Sequence, residues 1–368
     1  MTRRTISRHA PGKLFIAGEY AVLEPGHPAI LVAVDRQVSV TVSGSEGADV
    51  VIDADLCAAG ARLQRRSGGL GAVDEQQALD SLTHVVSAIE VVDRLLAEQR
   101  MDAPPIQVSI RSRLHRDGTK FGLGSSGAVT VAVVDAVAAY CGMELSPDTR
   151  LRLAMLATVR CDPVSSGGDL AASVSGGWIS YQAPDRAAVR DMVERRGIRE
   201  TIRAPWPGYE VRRLPPPSQL ALEVGWTGQP ASTASLAGRL ATQKWQGSTS
   251  QRSFLARSDE CVRASIRALE RADDDELLRQ VRGARQVLAD LDEEVRLGIF
   301  TTELTALCDA AEAVGGAAKP SGAGGGDCGI ALLDATAERE IARLREEWTA
   351  RGVLPMPMRV QPTKGSTR

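Results

Sequence analysis

Hydrophobic residues in the first half of the chain alternate with polar ones in short runs, a pattern typical of strands with one buried face. The run over 28–42 ends in clear alternation, with Val38, Val40 and Val42 on one side. Strands are predicted at 13–23, 28–42, 48–53, 105–114 and 178–183. The polar, glycine-rich stretch RRSGGLGAVDE (65–75) is predicted to be a loop.

Apolar residues spaced three and four apart predict helices between and beyond these strands. We expect a long amphipathic helix over 76–99 and an apolar one after the glycine–serine turn at 122–127. A third helix covers 147–160, where Ser146 suits the N-cap and Pro147 the first helical position. Farther along, a strand is predicted over 221–228 and helices near 232–245, 250–272, 274–291, 302–314 and 335–352.

The composition changes at RRLPPPSQL (212–220), where three consecutive prolines disfavour both a helix and a central strand. A chain of 368 residues is long enough for two domains. We therefore expect an α+β protein with an N-terminal domain over 1–213 and a C-terminal domain over 214–368. The first should be mixed and the second rich in helices over a small sheet.

Composition and charge exclude several classes of protein. The formal net charge of −2 argues against a nucleic-acid binder, and no apolar segment is long enough to cross a membrane. The basic N-terminus has no apolar run behind it, so it does not indicate a secretory signal. Six scattered cysteines without a C-x-x-C pair are typical of buried thiols in a reducing, cytoplasmic compartment. Monomer and homodimer both remain open.

The segment KFGLGSSG (120–127) indicates an anion site before a helix. Gly122 and Gly124 let the main chain approach a ligand, and Ser125 and Ser126 stand where free N–H groups favour a negative charge. Lys120 adds a full positive charge. The spacing matches neither the Walker pattern nor G-x-G-x-x-G. A tight turn with a serine cap is the alternative, but the flanking strand and helix favour phosphate.

Three further segments contain candidate chemistry. In SSGGD (165–169), Asp169 either caps a helix or faces the phosphate loop to bind magnesium or orient a nucleophile. GGAAKPSGAGGGDCG (315–329) has seven glycines in fifteen residues, so it either wraps a bound group or allows close backbone packing. In APGKLFIAGEY (10–20), Lys13 begins a strand and Glu19 and Tyr20 follow; alone, these would suggest a surface lysine and a half-buried tyrosine.

Taken in order, these segments resemble the three motifs of the GHMP kinase family, named for galactokinase, homoserine kinase, mevalonate kinase and phosphomevalonate kinase. The matching stretches are PGKLFIAGEYAVL (11–23), KFGLGSSGAV (120–129) and KPSGAGGGDCGIAL (319–332). The resemblance implies an N-terminal ribosomal-protein-S5-like α/β domain with a left-handed βαβ unit. It also implies a C-terminal ferredoxin-like domain.

Within the family, the chain is similar to the bacterial phosphomevalonate kinase branch. That resemblance implies transfer of the γ-phosphoryl of MgATP to (R)-5-phosphomevalonate, giving 5-diphosphomevalonate in the mevalonate route to isoprenoids. A mevalonate kinase, or another family member with an alcohol acceptor, is the nearest alternative. A mevalonate diphosphate decarboxylase shares the fold, and a non-catalytic nucleotide sensor is an alternative of a different class.

The resemblance also implies the roles of particular residues. Lys13, Lys120 and Asp169 are the expected catalytic groups, and Ser126 and Asp169 the expected magnesium ligands. The ATP phosphates would lie on Gly122, Leu123, Gly124, Ser125, Ser126 and Gly127. Residues expected to bind the acceptor are Glu19, Tyr20, Ser166, Ser321, Gly322, Ala323 and Gly324. Ser232 and Thr233 stand at a predicted helix start and are expected to form a second anion site for the acceptor phosphate, with a simple helix cap as the alternative. Val164 stands where a polar or basic residue is expected, which removes one possible phosphate contact.

Overall fold

The structure, a computed structural model, describes residues 4–55, 60–73, 79–116, 118–231, 236, 240 and 245–362. The first part of the chain forms strands β1 Thr5–Ala17, β2 Pro28–Gly44, β3 Val50–Ala54, β4 Ala61–Arg66, β5 Gly69–Ala72, β6 Ile106–Ser112, β7 His115–Arg116, β8 Thr119–Lys120, β9 Trp178–Gln182 and β10 Glu210–Leu214. Its helices are α1 Thr83–Glu98, α2 Ser125–Tyr140, α3 Pro147–Cys161, α4 Gly168–Ser175 and α5 Arg186–Thr201.

The second part contains strands β11 Leu220–Trp226, β12 Ala317–Pro320, β13 Cys328–Asp334 and β14 Leu354–Pro355. Its helices are α6 Thr249–Arg271, α7 Asp274–Val295, α8 Thr302–Ala313 and α9 Glu338–Ala350. Among the described residues, no helix is both long and apolar enough to span a bilayer.

The long strand β2 organises the N-terminal sheet. One edge of β2 pairs antiparallel with β1 from Thr5 to Ala17. The other edge pairs with β9 near its start and with β6 near its end. Strands β3 and β6 are parallel, and α1 lies in the connection between them, which makes a βαβ unit.

Helix α2 anchors the phosphate loop in the core. Its alanines and valines make it apolar all round, and 12 of its 16 residues are buried. The buried carboxylate of Asp135 is satisfied by the guanidinium of Arg150 at 2.9 Å. Because the helix is enclosed by β1, β2 and neighbouring helices, its N-terminus at Ser125 is held in one place.

The C-terminal sheet has the strand order β12–β13–β11–β14, with every pair antiparallel. Along the chain, helices separate β11 from β12, a turn joins β12 to β13, and α9 leads to β14. This order and connectivity are those of a ferredoxin-like sheet. The expected α+β class with two domain types is therefore confirmed.

Several predicted elements differ from the structure. Residues 65–72 are not simply a loop, because β4 and β5 form a hairpin and Gly69, the first residue of β5, has φ +124°; residues 74 and 75 lie outside the described part. The first strand begins at Thr5 and ends at Ala17, since Gly18 at φ +93° and Tyr20 at φ 62° turn the chain into a short 3₁₀ helix.

Helix α1 begins at Thr83 rather than 76, and residues 76–78 lie outside the described part. The patterns also missed α5 and β10. Helix α5 buries only Val189, Ile198 and Thr201 and is interrupted at Gly197, so it has almost no apolar periodicity to detect.

The connection between the two sheets runs from Leu214, the end of β10, to Leu220, the start of β11. The division at residues 213 and 214 stays a prediction, which this connection supports. The segment at Gln361 lies against the first sheet, where the Gln361 N–H donates to the Ala33 carbonyl oxygen at 2.8 Å.

Candidate active site

One cavity of about 480 Å³ brings together the four segments singled out from the sequence, 10–20, 120–127, 165–169 and 315–329. The predicted residues that line it are Lys13, Glu19, Tyr20, Lys120, Gly122, Gly124, Ser125, Ser126, Gly127, Ser166, Asp169, Gly322 and Ala323. Positions more than 300 residues apart in the chain thus share one surface. This is the geometry of a single site rather than of four separate segments.

Lys13, in the segment 10–20, lies against the phosphate loop at 120–127. Its main-chain N–H donates to the carbonyl oxygen of Leu123 at 2.9 Å, and its Nζ donates to that of Gly122 at 3.1 Å. The ammonium also lies 5.3 Å from the centre of the Phe15 ring. Only 7% of the residue is exposed, so strand β1 holds this charge rigidly against the phosphate loop.

The glycines of the phosphate loop are required by what packs against them. Gly122 and Gly124 have φ of 77° and 73°, which is left-handed backbone that other residues adopt at a cost. A Cβ on Gly124 would lie 3.0 Å from both Lys13 Cγ and Asp169 Cβ. The loop therefore ends in an α2 N-terminus whose N–H groups face the cavity between a cation and a carboxylate.

Asp169 lies in the first turn of α4, directly opposite the start of α2. Its Oδ1 accepts from the Leu170 N–H at 3.0 Å. Burial raises the pKa of its carboxyl, and the nearby charge of Lys13 opposes that rise without cancelling it. The side chain is therefore a desolvated carboxylate beside the phosphate loop, not a simple helix cap.

The glycine-rich segment 315–329 is held against strand β1 by buried polar contacts. The Ser321 hydroxyl accepts from the Phe15 N–H at 2.8 Å and donates to the Phe15 carbonyl oxygen at 3.0 Å. Glu19 forms an ion pair with Lys319, which is fully buried. These contacts fix the glycine-rich loop of the C-terminal half against the N-terminal half.

Some predicted site residues have other surroundings. Leu123 is 1% exposed and packs in the core, so only its main chain belongs to the phosphate loop. Ser321 is 2% exposed and engaged with Phe15, and Gly324 packs against Ile299; neither lines the cavity. Ser232 and Thr233 lie outside the described residues.

The remaining walls of the cavity are less polar. The Tyr20 hydroxyl donates to the Ala323 carbonyl oxygen at 2.5 Å, which joins the segments 10–20 and 315–329. The carbonyl oxygen of Ser166 accepts from the Tyr181 hydroxyl at 2.5 Å. Val164 is 42% exposed and lines the cavity. Its position therefore presents an apolar side chain where a polar or basic one was expected.

Sequence reasoning missed five lining residues with polar side chains: His84, Thr158, Asp162, Ser165 and Asp327. Burial lowers the pKa of His84, against the pull of Asp169 and Asp162. The Thr158 hydroxyl is buried with no hydrogen-bond partner among the described residues. Asp327 follows three glycines in the segment 315–329. Its place directly after this glycine run was the one sequence signal that could have identified it.

The described residues contain no group of three or more His, Cys, Asp or Glu side chains that could hold a metal ion. Magnesium does not need such a cage, since it is commonly bound by one or two carboxylates together with substrate phosphates and water. Asp169 and the Ser126 hydroxyl line the same cavity, at the start of α4 and of α2. These donors fit a phosphate-bound magnesium ion.

Comparison with known proteins agrees with this geometry. Residues 83–177 match the GHMP kinases N terminal domain and residues 265–350 the GHMP kinases C terminal domain. A phosphomevalonate kinase of Streptomyces sp. (strain CL190) is 62% identical over 363 residues, covering 97% of each chain. A mevalonate kinase of Thermococcus sibiricus is 27% identical over 88% of this chain and 87% of that protein.

Among solved structures, the Streptococcus pneumoniae phosphomevalonate kinase in complex with phosphomevalonate and AMPPNP superimposes with a TM-score of 0.84. It is 27% identical, and the alignment covers 96% of this chain and 99% of that one. Both family domains occur in order, and one relative is similar along nearly the whole length. The chain is a member of the GHMP kinase family.

Proposed function

We propose that this protein is an ATP-dependent kinase that transfers the γ-phosphoryl group to 5-phosphomevalonate, giving 5-diphosphomevalonate and ADP. The observation that carries the proposal is one cavity in which Lys13 and Lys120 accompany the N-terminus of α2. The Streptomyces relative bears the name of this activity, and the pneumococcal structure contains phosphomevalonate with an ATP analogue.

The donor side of the cavity is proposed to be the phosphate loop. The backbone from Gly122 to Gly127 offers the N–H groups at the start of α2, which suit the oxygens of a polyphosphate. Lys13 and Lys120 line the same cavity and supply positive charge. Their removal should raise the barrier, because negative charge gathers there as the phosphoryl group moves.

The acceptor is proposed to occupy the rest of the cavity, between the segments 10–20 and 315–329. Tyr20, Ser166, Gly322 and Ala323 line that part. Glu19 also lines it, but the carboxylate is already paired with Lys319. We therefore assign Glu19 the role of holding the segment 315–329 in place.

The chemistry needs neutralised charge more than a strong base. A phosphate monoester has a second pKa near ~6, so the acceptor is largely a dianion at neutral pH. Its oxygen can attack the γ-phosphorus without losing a proton to the protein. Two anionic groups must nevertheless approach in line, and fixed cations lower that repulsion. We therefore propose that Asp169 positions substrate or metal and does not abstract a proton.

Ser126 and Asp169 are the residues proposed to hold magnesium on the nucleotide phosphates. When bound, the ion would neutralise charge on the donor phosphates. The desolvated Asp169 carboxylate supports this role, since a raised pKa marks an uncompensated negative charge that a cation would stabilise.

We also propose that the protein works in the cytoplasm. Cys141, Cys161, Cys261, Cys308 and Cys328 are free thiols in the described part of the chain. Free thiols at this density are typical of a reducing compartment.

The test is a substrate panel with MgATP and coupled detection of ADP, comparing mevalonate with 5-phosphomevalonate. We expect turnover with 5-phosphomevalonate, and preference for mevalonate would overturn the proposal. Asp169→Asn should lower turnover without abolishing it, because a phosphate acceptor needs no base, whereas complete loss of turnover would indicate an alcohol acceptor. Release of carbon dioxide would indicate a decarboxylase, and nucleotide binding without any transfer would indicate a sensor.

A further inference from the structure

Asp327 occupies a special backbone position beside the cavity. It follows three glycines and adopts φ 55°, in the left-handed region that non-glycine residues seldom occupy. It lines the cavity, yet only 9% of the residue is exposed. A strained backbone and a buried acid at one position indicate that the side chain itself has a task.

The side chain and main chain of Asp327 hold the segment that leaves β11. Its Oδ1 accepts from the Ala231 N–H at 3.0 Å. Its own N–H donates to the Gln229 carbonyl oxygen at 2.7 Å, and its carbonyl oxygen accepts from the Thr227 N–H at 2.9 Å. Residues 227–231 are thus fastened to one residue, and Ala231 is itself part of the cavity wall.

The other face of the Asp327 side chain packs against the phosphate loop. A Cβ on Gly122 would lie 2.3 Å from Asp327 Cγ and 2.5 Å from its Oδ2. Burial raises the pKa of Asp327, while the Ala231 N–H, Lys13 and Lys120 lower it. One carboxylate therefore lies against Gly122 of the loop proposed to bind ATP and accepts from Ala231 of the cavity wall, within the field of both lysines.

We propose that Asp327 is a positioning residue that ties Ala231 to Gly122 and so makes the binding of ATP and of the phosphorylated acceptor mutually favourable. The inference rests on the proposed function. Because the same side chain contacts Gly122 and Ala231, a ligand that orders one of these two segments also orders the other. Such coupling is reciprocal, so each ligand raises the affinity for the other by the same factor.

The test measures binding of 5-phosphomevalonate by calorimetry, with and without saturating AMPPNP and magnesium. In the unaltered chain we expect AMPPNP to tighten binding about tenfold. Asp327→Gly removes the side chain and suits the left-handed backbone, and it should reduce this factor to nearly one. Asp327→Asn keeps an oxygen acceptor for Ala231 and tolerates the same backbone, so it should retain the coupling.

A second variant reaches the same contact from the other side. Ala231→Pro removes the N–H that Asp327 accepts, and it should also abolish the coupling while each substrate still binds alone. Thermal unfolding of every variant shows whether the fold is kept. Full coupling in Asp327→Gly, or no coupling in the unaltered chain, would overturn the inference alone. Failure of the unaltered chain to bind 5-phosphomevalonate would overturn the proposed function as well.

Discussion

The carboxylate of Asp169 lies directly against the backbone of Gly127. A Cβ placed on Gly127 would stand 2.3 Å from Asp169 Oδ2 and 2.5 Å from its Cγ. The start of α2 and the start of α4 therefore approach as closely as they do only because one of them has no side chain at that point.

Gly127→Ala should separate activity from stability. Alanine favours a helix over glycine by about 1 kcal/mol, but its methyl group would displace Asp169. We expect kcat/KM to fall about 100-fold, as for a misplaced catalytic group, with the fold retained. The matched control is Gly283→Ala in α7, where the nearest atom lies at 3.7 Å. Equal loss of activity in both variants would contradict the explanation.

Lys120→Ala should lower kcat/KM about 100-fold, because removing one charge that stabilises the transition state costs on the order of 3 kcal/mol. Steady-state ADP release with 5-phosphomevalonate measures the effect. Arg116→Ala is the control, since Arg116 lies in the same two-stranded hairpin as Lys120 but does not line the cavity. If Arg116→Ala lost as much activity, the hairpin's conformation rather than the Lys120 charge would be responsible.

Lys319→Met should destabilise the protein by about 3 kcal/mol, because it leaves the buried Glu19 carboxylate without its partner. The double change Glu19→Gln with Lys319→Met should recover part of that loss. Urea unfolding measures both. The exposed pair of Arg351 and Glu347 is the control, and Arg351→Met should cost less than about 1 kcal/mol. A double variant as unstable as the sum of its single changes would refute the pairing argument.

Asp169→Asn should make the protein more stable at pH 7 and the gain should shrink as the pH falls towards 4. Burial raises the pKa of Asp169 in the folded state, so between the unfolded and the folded pKa the folded chain binds protons more tightly than the unfolded chain does. Stability contributed by this group is consequently lost as pH rises through the folded pKa, and asparagine removes that loss.

Urea unfolding at pH 7 and pH 5 checks the sign. Asp334→Asn is a control of opposite direction, because hydrogen bonds from Thr336 hold the pKa of Asp334 below its usual value. Its replacement should lower stability at neutral pH. If Asp169→Asn were less stable at pH 7 than at pH 5 relative to the unaltered chain, the burial argument would be wrong.

Much of the fold was readable because local patterns and tertiary packing agree. Helix α2 is apolar all round and is buried all round, and Ser146 caps α3 by accepting from the Thr149 N–H as its type predicts. Helix α5 was missed because its neighbours supply only a few contacts to a mostly polar surface. The hairpin of β4 and β5 was missed because glycine-rich sequence does not distinguish a loop from a turn between strands.

The amino-acid order alone determined which residue types are present and that three small-residue segments belong to a kinase family. Only the tertiary structure decided which of their side chains face the cavity. It placed Ser321 against the backbone of Phe15, paired Glu19 with Lys319, and brought His84 and Asp327 to the cavity wall. The physical reason is distance along the chain: whether a hydroxyl or carboxylate is free depends on partners up to 306 residues away, which no local pattern contains.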